Sequence, residues 1–133
     1  MSKQILLLLP LLFSGCEERF PVYTKYCQPN KTASLSCLRY DALMNATDQN
    51  QIAQALELPH DPNCSYLLQL TRYHVGECNN PLVKSIGGDF DGYVRIQINR
   101  GMNCYYKAQS DFKNDEEAAY QRVLLQVQND LKN

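Results

Sequence analysis

The clearest pattern in the chain is an alternation. Gly92-Tyr93-Val94-Arg95-Ile96-Gln97-Ile98-Asn99 sets Val94, Ile96 and Ile98 on one side and Tyr93, Arg95, Gln97 and Asn99 on the other. A period of two with one apolar side predicts a strand buried on one face and wet on the other. Arg100-Gly101-Met102 supplies a hairpin turn in which the glycine can take a positive φ. Asn103 to Gln109 then returns as a strand, with Cys104, Tyr106 and Ala108 alternating with Tyr105, Lys107 and Gln109. Upstream, Ser65 to Val75 is rich in strand formers and places Tyr66, Leu68 and Leu70 on one side. Between these strands, Gly76 to Gly88 reads as a loop, marked by Asn79-Asn80-Pro81 and Gly87-Gly88.

The period becomes helical on both flanks. Ile52, Ala55 and Leu56 predict a helix over Asp48 to Leu56, capped by Thr47 or Asp48, with Gln51 three residues after Asp48 as a capping box requires. Pro59 and Asp61-Pro62-Asn63 stop it, and a further helical turn fits Asp41 to Met44. At the C-terminus, Asn114 is the expected cap, Asp115, Glu116 and Glu117 suit the positive end of a helix, and Tyr120, Val123, Leu124, Val127 and Leu131 form an apolar stripe. The order helix, strand, strand, strand, helix predicts an α+β fold: a small antiparallel three-stranded sheet packed by an N-terminal and a C-terminal helix. The hairpin, the Ser110-Asp111-Phe112 junction and the acidic-capped helix resemble the C-terminal domains of TonB and TolA, which share a β-β-α core with a serine at that junction.

The N-terminus has a different character. One positive charge at Lys3, an apolar run from Ile5 to Phe13 and the small pair Ser14-Gly15 have the layout of an export signal. The run is short of the ~20 residues that a membrane-spanning helix needs, and Pro10 interrupts it. Ser14-Gly15-Cys16 resembles a bacterial lipobox, with Phe13 standing where an aliphatic residue is usual. That resemblance implies cleavage after Gly15, a thioether-linked diacylglycerol on Cys16 and a membrane-anchored lipoprotein. Glu17 after the acceptor implies the outer membrane, facing the periplasm, since aspartate there is the usual inner-membrane signal. The expected organisation is therefore a signal peptide over 1–15, a lipidated N-terminus and tether over 16–38, and an α+β periplasmic domain over 39–133. Two or more acyl chains would give stable anchoring.

With Cys16 assigned to lipid, Cys27, Cys37, Cys64, Cys78 and Cys104 remain, and export to an oxidising compartment predicts disulfides among them. Two bridges and one leftover thiol allow many pairings. Cys27 with Cys37 would close a short loop, Cys64 with Cys78 would bracket a strand, and Cys78 with Cys104 would tie a loop to a later strand. No cysteine pair has zinc-site spacing, His60 and His74 stand apart, and no C-x-x-C motif occurs. No metal ligand set, cofactor motif or catalytic constellation is therefore assigned.

Charge excludes one class of partner. The chain carries 13 basic and 14 acidic residues, and removal of the leader takes only Lys3. The basic residues are scattered, which does not fit nucleic acid. Nine tyrosines and no tryptophan suit a half-solvated sheet whose rings are buried and whose hydroxyls stay wet. Gly87-Gly88-Asp89-Phe90-Asp91-Gly92 holds two carboxylates, fewer than a calcium loop offers, and reads as a turn into the strand. The functional expectation is an envelope lipoprotein acting as an accessory or binding module for another envelope component, the size and tether of secretion pilotins and assembly-machine lipoproteins. The alternatives are a cell-wall enzyme using Asp89 and Asp91, or a small-ligand sensor using the tyrosines of the wet face.

Overall fold

The structure is a computed structural model that describes residues 20–27, 35–75 and 90–132. The described residues form five strands and two helices: β1 (Val22–Tyr26), β2 (Arg39–Tyr40), α1 (Ala46–Leu56), β3 (Tyr66–His74), β4 (Gly92–Arg100), β5 (Asn103–Phe112) and α2 (Glu116–Lys132). The strands form one sheet in the order β1-β5-β4-β3-β2. The α+β class and the three central antiparallel strands match the expectation. The sheet is wider than expected and mixed, because β1 adds antiparallel to β5 and β2 adds parallel to β3.

Both additions came from stretches with few sequence signals of their own. β1 lies inside the segment expected to be tether. Its five residues, Val22-Tyr23-Thr24-Lys25-Tyr26, are mostly strand formers, and neighbouring groups fix them. Ser110 Oγ donates to the Pro21 carbonyl at 3.0 Å, the Cys27 amide donates to the Tyr105 carbonyl at 3.1 Å, and the Tyr26 ring meets Tyr106 edge-on at 5.1 Å. β2 is only two residues long. The Tyr40 amide donates to His60 Nδ1 at 3.1 Å and the Tyr40 hydroxyl to the Leu58 carbonyl at 2.6 Å, so the chain leaving α1 clamps β2 against β3.

Two disulfides follow from these pairings. Cys27 bonds Cys104 and Cys37 bonds Cys64, with Cα atoms 5.5 and 5.9 Å apart. The short-range pairings Cys27–Cys37, Cys64–Cys78 and Cys78–Cys104 are replaced, since β1 on β5 carries Cys27 to Cys104 and the parallel β2–β3 contact brings Cys37 to Cys64. Cys16 and Cys78 lie outside the described residues, as do the whole of the expected Gly76 to Gly88 loop and Asp89.

α1 starts two residues earlier than expected. Asn45, not Thr47 or Asp48, is the cap: its Oδ1 accepts from the Asp48 amide at 2.8 Å, while its Nδ2 donates to Asp48 Oδ2. α2 is capped by Asp115 rather than Asn114, through a 3.0 Å bond from the Ala118 amide to Asp115 Oδ1. Ala119, Tyr120, Val123, Leu124 and Val127 of α2 are buried against Val94, Ile96 and Ile98 of β4 and Tyr106, Ala108 and Phe112 of β5. Each large side chain taken from water there contributes about 1.5–3 kcal/mol. Gly92 is required where it stands, because a Cβ would lie 1.9 Å from the Tyr73 carbonyl oxygen and 2.8 Å from the Phe112 ring. Gly101, at φ 61°, and Met102 form the two-residue β4–β5 turn, which fits type II′.

Candidate functional site

Both helices share one core with one face of the sheet, so the other face stands without a covering element among the described residues. The strand registers map that face as rows. Asp111, Tyr93 and Tyr73 form the first; Tyr23, Gln109, Arg95 and Thr71 the second; Lys25, Lys107, Gln97 and Gln69 the third. The fourth row runs Cys104, Asn99, Leu67, Arg39, beyond a bulge where β5 carries Tyr105 as one extra residue.

Neighbouring side chains on this face hold one another. Tyr73 and Tyr93 stack with centroids 5.0 Å apart, and the Arg95 guanidinium lies 4.8 Å over Tyr93. Arg95 Nε donates to Gln109 Oε1 at 2.9 Å, Gln97 Nε2 to Asn99 Oδ1 at 2.9 Å, and Asn99 Nδ2 to Gln69 Oε1 at 3.1 Å. A surface already ordered in this way loses less side-chain freedom when a partner settles on it. Its charge is lopsided: among the described strand residues of this face, Lys25, Arg39, Arg95 and Lys107 stand against one acid, Asp111, on a chain whose net charge is −1. Acids gather instead on the helical side, at Glu57, Glu116, Glu117 and Asp130. Between β1 and β5, a shallow depression of about 200 Å³ is lined by Tyr23, Thr24, Lys25, Lys107 and Gln109.

The helical side holds the second polar cluster, and its geometry is that of a clamp. Arg72 NH2 lies 3.0 Å from Asp48 Oδ1, and its NH1 lies 3.8 Å from Glu116 and 3.9 Å from Glu117. Its guanidinium sits 4.5 Å over the Tyr120 ring. Burial works against the Arg72 charge, but the hydrogen bond and charge of Asp48, with Glu116 and Glu117, outweigh it and raise its pKa. One arginine of β3 thus joins the first turn of α1 to the first turn of α2. His74 Nε2 stands 3.2 Å from Glu116 Oε1 at the same end. A third feature, a depression beside α1 lined by Asn50, Ala53, Gln54, Glu57 and Pro59, has its one charge engaged, since Glu57 lies 3.3 Å from Lys132.

The expected site residues are dispersed. Cys27, Cys37, Cys64 and Cys104 are structural bridges. Asp91 is exposed at the entry to β4, its amide donating to the Phe112 carbonyl and its carbonyl accepting from the Val75 amide. His60 serves as an acceptor for the β2 backbone. Among the described residues no group of three or more His, Cys, Asp and Glu side chains could hold a metal, and no helix is long and apolar enough to cross a membrane. Tyr93, Arg95, Gln97 and Asn99 lie on the wet face as their alternation predicts, while Tyr23 and Lys25 join them from a segment expected to be tether, signalled in the sequence only by the strand-forming run after Pro21. In comparisons with known proteins, no family model, curated relative or solved structure matches the chain.

Proposed function

We propose that the chain is a lipid-anchored bacterial envelope protein, tethered through Cys16 at the outer membrane, that works as an accessory module docking another envelope component on the open face of its sheet. The Ser14-Gly15-Cys16 leader supports the anchor. The observation that carries the docking role is the row structure of the open face, where tyrosines, amides and cations hold one another in place and no helix among the described residues covers them. Tyrosine and arginine are the residue types that most often dominate binding energy at protein interfaces.

The interface between helices and sheet is filled by side chains such as Leu68, Val94, Ile96, Tyr106 and Tyr120, all fully buried. That packing among the described residues supports recognition on the outer surface of the sheet. The acyl chains supply location, and the folded domain supplies selectivity.

The test is a pull-down of the tagged chain from detergent-solubilised membranes, beside an unrelated lipoprotein and beside a Tyr93→Ala/Arg95→Ala variant. A reproducible partner that the control does not capture and the variant loses is the expected result. Equal capture by all three would reject the docking role.

A further inference from the structure

We infer that the depression between β1 and β5 is the seat of an acidic, extended segment of a partner protein, with a carboxylate held between Lys25 and Lys107. The inference rests on the docking role proposed above and names the partner's chemistry. Lys25 and Lys107 are register partners in the β1–β5 ladder. Residues directly opposite have Cβ atoms about 4.5–5.5 Å apart, and like charges in that position repel. Neither lysine has an ion pair among the described residues. No described residue offsets the repulsion, and an anion set between the two ammonium groups would relieve it.

The surroundings fit a polypeptide. Tyr23, 61 % exposed, forms one wall, and Gln109, already accepting from Arg95 Nε, lies across the depression. The amides of Gln97, Asn99 and Gln69 continue across the neighbouring strands and suit peptide groups. Arg95, diagonal to Lys107, adds a third cation on the same side. Three of the four cations of the face, Lys25, Lys107 and Arg95, lie on the adjacent strands β1, β5 and β4 beside uncharged amides, which matches a segment of strand width better than an extended plane of headgroups. Lysine on an edge strand also discourages edge pairing, which directs the partner onto the face.

The experiment uses the full chain in neutral detergent micelles and a fluorescein-labelled oligoglutamate peptide, read by anisotropy. We expect binding that weakens with salt and falls by about tenfold or more in Lys25→Glu/Lys107→Glu. The same charge change elsewhere, Arg100→Glu/Lys132→Glu, should leave it within about twofold. Circular dichroism of both variants establishes that they are folded. No binding of the peptide, or equal loss in the two double variants, overturns the proposal. So does an effect of the lysines only on attachment to micelles doped with phosphatidylglycerol, which would make the occupant a membrane. The peptide assay requires neither a lipid anchor nor an envelope partner. A chain that captures envelope proteins but ignores the peptide would reject this seat alone.

Discussion

Lys25 stands directly opposite Lys107 across the β1–β5 ladder, two like charges on the open face of the sheet. Reversing either one replaces repulsion with attraction. Lys25→Glu or Lys107→Glu should therefore stabilise the domain by about 0.2–1 kcal/mol at low ionic strength. The gain should shrink as salt is added, because exposed charges are screened. Urea denaturation of the two single variants at two salt concentrations checks this. The double reversal restores like charge and should return stability close to that of the parent.

The two disulfides should contribute unequally. Cys27–Cys104 spans 77 residues and Cys37–Cys64 spans 27. Chain-entropy arguments assign about 4.5 and about 3.5 kcal/mol to loops of those sizes. Cys27→Ser/Cys104→Ser should thus lower the denaturation midpoint more than Cys37→Ser/Cys64→Ser does. It should also release β1, read as faster hydrogen exchange at Val22–Tyr26 and at the facing β5 amides. Equal midpoints with unchanged exchange would show that β1 is held by its hydrogen bonds alone.

Two buried tyrosines make a matched pair with opposite expectations. The Tyr106 hydroxyl donates to Asp130 Oδ2 at 2.7 Å, whereas the equally buried Tyr120 hydroxyl has no hydrogen-bond partner among the described residues. Hydrogen bonds to charged groups are worth about 1.5–3 kcal/mol, so Tyr106→Phe should cost that much. Tyr120→Phe removes a buried polar atom and should be neutral or stabilising by up to about 1 kcal/mol. Thermal denaturation of both variants decides, and a larger loss for Tyr120→Phe would contradict the assignment.

Alkaline pH should unfold the protein through these same rings. Burial pushes Tyr40 and Tyr120 up from 10.0 to about 12. Tyr106 is raised further, by burial and then by its bond to Asp130. In the unfolded chain all three ionise near the ordinary value of about 10. Above that pH the unfolded state has lost protons that the folded state keeps, so stability is full below about pH 10 and falls as pH rises toward 12. Urea midpoints measured across this window should decline as tyrosinate absorbance appears together with unfolding. A midpoint that does not change across the window would contradict the burial of these rings.

The central architecture was legible because its signals are local and periodic. Val94, Ile96 and Ile98 announce a half-buried strand, Gly101 its turn, and the stripe from Tyr120 to Val127 the helix that covers it. β1 and β2 were not legible, because long-range partners hold them. Val22–Tyr26 is a strand by virtue of Ser110, Tyr105 and Cys104, roughly eighty residues away in sequence. Arg39–Tyr40 is a strand by virtue of His60 and Leu58. Half of the candidate surface was visible for the same reason: Tyr93, Arg95 and Gln97 alternate within one strand, while Lys25 meets Lys107 only once β1 has docked. Disulfide connectivity depended on those two dockings and followed them.

Whether Cys16 carries lipid is read most directly from the intact mass and membrane partitioning of the full-length product expressed in bacteria, beside Cys16→Ser. The proposed anchor requires a mature chain beginning at Cys16 with added acyl chains, found in the membrane fraction, and both properties lost in the variant. With Cys27–Cys104 and Cys37–Cys64 formed, one thiol, that of Cys78, should then titrate after denaturation. A soluble, unacylated product with no free thiol would contradict the anchor and place Cys16 and Cys78 in a third bridge.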